Sequence, residues 1–206
     1  MRALLALAIV TLVLGCASRP KCPVYPSRVA WKISSYGTSM PSENQRKEIL
    51  KAMETWEKLL QSCSTNPVDF EEAEVGQAVN LDISFVQTGL GEGTLGRVDC
   101  YAPDPRRNQT LQFNEGATRF TDGPGEPTGH TVSLYGVALH ELGHVLGLWD
   151  NDSPDSVMCF VYPSTATAPS AADVERLQAI YGWREVVDAE VPAGPAGCVA
   201  SAEAPR

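Results

Sequence analysis

Along the 206-residue chain, apolar positions recur with two periods that predict different elements. Val29, Trp31 and Ile33 alternate with other residues, as in a half-buried strand, and Leu81, Ile83 and Phe85 repeat the pattern more cleanly. Val68 and Phe70 predict a short strand, Leu95 to Tyr101 an edge-like one, and Leu111 to Asn114 another. Ile49, Leu50, Met53, Trp56, Leu59 and Leu60 fall at helical spacing behind Ser42 and Gln45, which read as a capping box. These aromatic and methionine side chains are core packing, not a cofactor box. Val132 to Leu148 predicts an apolar helix. Ser170 with Asp173 caps a last helix that carries Val174, Leu177, Ile180 and Tyr181 on one face, with Gly182 as its stop signal. Gly89, Gly91, Gly93 and Gly96 mark a flexible surface loop. No Lys-Ser/Thr and no helix follow them, which excludes a phosphate loop. Phe120 to Gly129 is a Gly/Pro-rich connection. The order of strand, helix, several strands, helix and helix describes one mixed α/β (α+β) domain.

The two ends break this pattern. Met1 to Gly15 has one positive residue and then an almost unbroken apolar run, too short for an ordinary spanning helix and suited to a secretory signal peptide. It leads into Val13-Leu14-Gly15-Cys16, which resembles a bacterial lipobox, although Leu14 departs from the usual residue there. The expectation is export from a bacterial cell and lipid anchoring in the envelope through Cys16, the only membrane contact foreseen. Cleavage after Ala17 followed by secretion is the alternative. Residues 16–27 read as a tether, 28–184 as the one folded domain, and 185–206 as a flexible tail.

Composition narrows the function. With 25 acidic against 16 basic residues and a net charge of −9, the chain lacks the cationic footprint of a nucleic-acid binder. Export permits disulfides. Beyond Cys16 lie Cys22, Cys63, Cys100, Cys159 and Cys198, so at most two bridges form, one thiol is left over, and the pairing stays open. No C-x-x-C pair supports a cysteine zinc site.

Two of the three histidines stand in His140-Glu141-Leu142-Gly143-His144. On a helix, a spacing of four puts both imidazoles on one face, about 6 Å apart, where they can grip one Zn²⁺. Glu141 then lies beside the ion, placed to take a proton from water. Gly147 can break the helix and turn the chain back, so that Asp150 supplies a third ligand. That extended pattern arises by chance in roughly two of a hundred thousand such sequences.

His140 to Asp150, HELGHVLGLWD, resembles the extended zinc motif of the metzincin metallopeptidases, with Asp as in their snapalysin-like minority. Met158 stands where the family carries the methionine of its Met-turn. Val29 to Ile33, the helix from Ser42 to Leu60, Leu81 to Phe85, Leu111 to Phe113 and the ending Leu177 to Gly182 are similar to the matrixin branch. The resemblance implies a twisted five-stranded mixed sheet with one antiparallel edge strand, an active-site helix, a Met-turn and a C-terminal helix. It further implies a zinc endopeptidase that uses His140, His144 and Asp150 as ligands, Glu141 as general base, and protein or peptide substrates. Gly93 to Val98 would be the strand that holds substrate, with Leu95 and Gly96 as contacts. Phe160-Val161-Tyr162-Pro163 would wall the specificity pocket, with Tyr162 as the contact.

There are departures from the family pattern. Arg97 and Gln112 occupy positions where matrixins bind a second zinc through histidine, so one catalytic zinc is expected. Calcium is a further candidate through Asp99, Asp104, Asn114 or Glu115. No long prodomain is expected, and Pro20 to Val24 only faintly echoes a cysteine switch. His130 reads as a loop residue. An anionic third ligand should blunt the Lewis acidity of the metal and let acid release it. The rival readings are an inactive metal-binding or interaction lipoprotein and a zinc amidase acting on cell-wall peptides. Oligomeric state stays open.

Overall fold

The computed structural model describes residues 27–91, 93–99, 108–123, 131–160 and 167–182. The alternating segments form a five-stranded sheet of β1 (Arg28–Ser35), β2 (Asp69–Glu72), β3 (Leu81–Val86), β4 (Gly96–Asp99) and β5 (Gln109–Asn114). The order is β2-β1-β3-β5-β4, and only β4 at the edge runs antiparallel to its neighbour. Parallel neighbours need a crossover, and α1 (Ser42–Cys63) supplies it between β1 and β2. The inward positions of β3 and β5 include the fully buried Leu81 and Ile83, then Leu111 and Phe113, with the polar Gln109, also buried, at the start of β5 on the same face. Phe85, Phe113 and Phe120 meet at centroid separations of 5.0 to 6.0 Å, tilted or edge-on.

The start of α1 departs from the predicted capping box. Pro41 precedes the helix and no side chain caps it. The Gln45 side chain, fully buried, turns outward from the helix. Its oxygen accepts from Gly37 N at 2.8 Å, and its amide donates to the carbonyls of Gly37 and Met40. The residue pattern was that of a cap, but the preceding loop offered Gln45 better partners.

Two boundaries also move. The segment read as a Gly/Pro-rich connection contributes β6 (Arg119–Thr121). This strand pairs in parallel with β7 (Thr131–Ser133), made from the expected start of the apolar helix. The helix α2 (Leu134–Val145) therefore begins two residues later than predicted, capped by the Ser133 hydroxyl, which accepts from Gly136 N. Three-residue strands are too short for their alternation to stand out against helical periodicity. The last helix, α3 (Ala171–Tyr181), keeps its predicted Ser170–Asp173 capping box, and Gly182 follows at φ 84°.

The loop after β1 hangs on one carboxylate. Glu115 accepts from the backbone amides of Thr38 and Ser39 at 2.7 and 2.9 Å and from the Gln87 amide at 2.9 Å. Burial pushes its pKa up, but the bonds from Thr38 and Ser39 outweigh this and hold it below the usual carboxylate value. A depressed folded-state pKa stabilises fully above the unfolded value near about 4.3 and is lost as pH falls through the lower folded one. Glu115→Ala should therefore cost about 1–2 kcal/mol in urea unfolding at pH 7. Its deficit should shrink below about pH 4, and an undiminished deficit in acid would exclude this account.

Candidate active site

The helix α2 is apolar on almost every side and is correspondingly enclosed. Leu134, Ala138, Leu139, Leu142 and Val145 are fully buried, and Trp56 of α1 donates its indole N–H to Leu139 O at 2.9 Å. The partly exposed positions of α2 are Gly136, His140 and His144, four residues apart on one stripe. Burying everything else thus leaves the two imidazoles facing the same opening.

Gly147 ends this helix in the way its position predicts. At φ 93°, a conformation that favours glycine, it makes a Schellman turn. Leu148 N donates to Gly143 O and Gly147 N to His144 O, both at 2.9 Å. The reversal does two things. It brings Asp150 back against the histidines, with Oδ1 at 3.3 Å from His140 Nε2 and 3.2 Å from His144 Nε2. It also presents Leu148 O to His144 Nδ1 at 2.9 Å.

His140 Nδ1 is held in the same manner by Val157 O at 2.8 Å. With a carbonyl on each Nδ1, both rings keep that proton and turn Nε2 toward Asp150. The three ligand atoms lie within 4.8 Å of one another. A tetrahedral zinc with bonds of about 2.1 Å would set neighbouring ligand atoms about 3.4 Å apart, close to the 3.3 and 3.2 Å between Asp150 Oδ1 and the two Nε2 atoms. In the metal-free site, hydrogen bonds from Nε2 of protonated His140 and then His144 hold the Asp150 carboxyl well below its ordinary range. For His144, burial lowers the pKa, but the hydrogen bond with Asp150 and the charge of Glu141 more than offset it.

Glu141 is 5% exposed and lies against the edge strand. Burial raises its pKa, and the nearby imidazoles of His144 and His140 oppose that without cancelling it. The Val98 amide donates to its carboxylate, while Oε2 has no partner among the described residues. An orphaned, buried carboxylate oxygen beside a metal-competent trio is one that a water can satisfy. Gly96 makes room for it, because a Cβ there would lie 2.8 Å from Glu141 Oε1.

Met158 is fully buried against α2, and its sulfur fills the space where Gly143 lacks a side chain. The turn that carries it is tied to α3 through Asp173, itself fully buried. Asp173 accepts from Ser156 Oγ at 2.6 Å and from Val157 N at 3.2 Å while capping its own helix with Ser170. Val157 O is the carbonyl that orients His140. The sequence reading found Asp173 as a cap and missed this second role. The Val157 and Leu148 carbonyls leave no mark in the sequence.

Other expectations divide. Leu95 and Gly96 do lie at the edge strand, and Leu95 O accepts from Asn114 N at 2.9 Å. Tyr162, His130, Asp104, Cys22, Cys100 and Cys198 lie outside the described residues, as do the leader, tether and tail. Cys159 is buried with a free thiol. Arg97 pairs across the sheet with Gln112 and brings its own positive charge, bonded to Asp99 at 3.0 Å. Of the calcium candidates, Asn114 and Glu115 are engaged within the fold. Asn114 Nδ2 donates to Thr94 O at 2.8 Å, and the oxygens of Glu115 are already taken up by amides.

Comparison with known proteins agrees with this geometry. The chain is 28% identical to stromelysin-1 of Rattus norvegicus over 179 residues, which is 82% of this chain and 35% of that protein. It is 30% identical to matrilysin of the same organism over 177 residues, 80% of this chain and 61% of that one. Against matrilysin of Felis catus the figures are 29%, 76% and 58%. The chain thus spans about a third of the stromelysin and somewhat under two thirds of the matrilysins. A matrixin family profile matches residues 24–182 and so runs from the first strand through both histidines to the end of the last helix. On that match, the chain belongs to the matrixin family.

Proposed function

We propose that the chain is an exported zinc-dependent endopeptidase that holds one catalytic ion through His140, His144 and Asp150. The observation that carries this is the convergence of two Nδ1-locked imidazoles and Asp150 Oδ1, with an orphaned, buried Glu141 oxygen beside them. Zinc, when bound there, supplies Lewis acidity and makes water acidic enough to lose a proton near neutral pH. Glu141 takes that proton as the water attacks the scissile carbonyl and returns it to the leaving amine.

The edge strand β4, with Leu95 just before it, offers an extended substrate backbone groups to pair with, and Gly96 and the Val98 amide lie against the glutamate. Gly96 keeps that approach open. Met158 packs against Gly143 of the active-site helix, and Val157 and Leu148 fix the imidazole rings. A binding-only role would leave the base at Glu141 without a purpose. The apolar leader and Cys16 support export with a lipid anchor, and an oxidising compartment suits the cysteine content.

Dialysed protein should retain about one zinc per chain and hydrolyse denatured casein, with activity lost to a chelator and restored by zinc. Stoichiometric zinc without any hydrolysis would favour the binding-only alternative.

A further inference from the structure

Beside the histidine–aspartate trio lies an open cleft of about 710 Å³, lined by Trp149, Asp150, Asn151, Asp152 and Phe160. Its walls are held in place from behind. Asn151 N donates to Met158 O at 2.8 Å and Phe160 N to Asn151 O at 3.1 Å, which joins the two sides by a backbone bridge. Arg176 reaches Trp149 O at 3.4 Å. The Asn151 side chain is consumed internally, donating to Ser156 Oγ and accepting from Ser153 N.

With Asp150 given to the metal trio, two aromatic side chains and the Asp152 carboxylate remain among the described lining residues to meet a ligand. Phe160 is 64% exposed, an unusual state for so apolar a side chain, and Trp149 is half-buried. Asp152 is exposed and makes no hydrogen bond or ion pair among the described residues. A purely apolar ligand would cover the rings but strip water from the carboxylate. An anionic one would meet Asp152, the exposed Asp155 and a chain of net charge −9. A long cationic side chain satisfies both demands, with its alkyl stem on the rings and its charged head at Asp152.

We infer that this cleft receives a lysine or arginine side chain of the substrate and that Asp152 sets the preference. The inference rests on the peptidase reading, because the cleft shares Asp150 with the proposed metal trio and so adjoins the bond to be cut.

The test uses alanine-rich hexapeptides carrying one lysine at each position in turn, and the same set with uncharged norleucine. With zinc-loaded wild type, lysine at one position near the cleaved bond should raise kcat/KM roughly tenfold over norleucine. The advantage should shrink as salt is raised. Asp152→Asn should bring the lysine-to-norleucine ratio close to one. Calorimetric binding of both sets to the Glu141→Ala variant should give the same ratio without turnover. Wild type that cleaves both sets equally, or an advantage that persists in Asp152→Asn, overturns the inference and leaves the peptidase reading standing. Wild type that cleaves neither set nor denatured protein overturns both.

Discussion

Glu141→Ala should retain zinc and lose hydrolysis by roughly 10³-fold, the usual scale for removing a positioned general base. The two outcomes separate because the carboxylate is not among the converging ligand atoms. Those are His140 Nε2, His144 Nε2 and Asp150 Oδ1. Glu141 lies alongside, buried and bonded by the Val98 amide, with one oxygen unsatisfied. Its removal takes a proton acceptor from the water without loosening either ring, since Val157 and Leu148 orient them independently. Glu141→Gln sharpens the comparison, because it keeps the shape and removes the basicity. Metal analysis with a casein assay on the same preparation checks both halves, and appreciable turnover in either variant would eliminate the general-base role.

The second large effect is expected at Asp150. Zinc sites of four protein ligands have apparent binding free energies of about 10–16 kcal/mol, or about 3 kcal/mol per ligand. Asp150→Ala should therefore weaken zinc binding by roughly 10²-fold, measured by competition with a chromogenic chelator. Asp150→His, which supplies a neutral donor at the same turn, should recover much of it. Full zinc retention by Asp150→Ala would remove this residue from the ligand set. The turn itself should survive both changes, because Gly147 and the Leu148–Gly143 hydrogen bond build it upstream of residue 150.

Much of this architecture was legible in the residue pattern because single side chains dictated it. Alternating apolar residues at Leu81, Ile83 and Phe85 emerged as a strand buried on one face. Gly147, demanded by a left-handed turn, is found in one. Ser170 and Asp173 form the capping box that their spacing announces. What escaped depended on partners distant in sequence. Gln45 belonged to a loop rather than to its own helix end. Phe120 joined a strand whose mate at Val132 carried a helical signature. At the site, the His-Glu-His spacing and Asp150 could be read directly. The carbonyls that fix the imidazoles could not, since every residue has one and only the fold decides where it points.

Asp173 has a consequence for metal affinity itself. One carboxylate starts the terminal helix and, through Val157, steadies the ring of His140. Two equilibria that share such a joint are thermodynamically reciprocal. An ion gripped by His140 favours the docked helix, and whatever pries that helix away, whether a protease nick or a partner pulling on the residues past Tyr181, must loosen the ion by the same free energy.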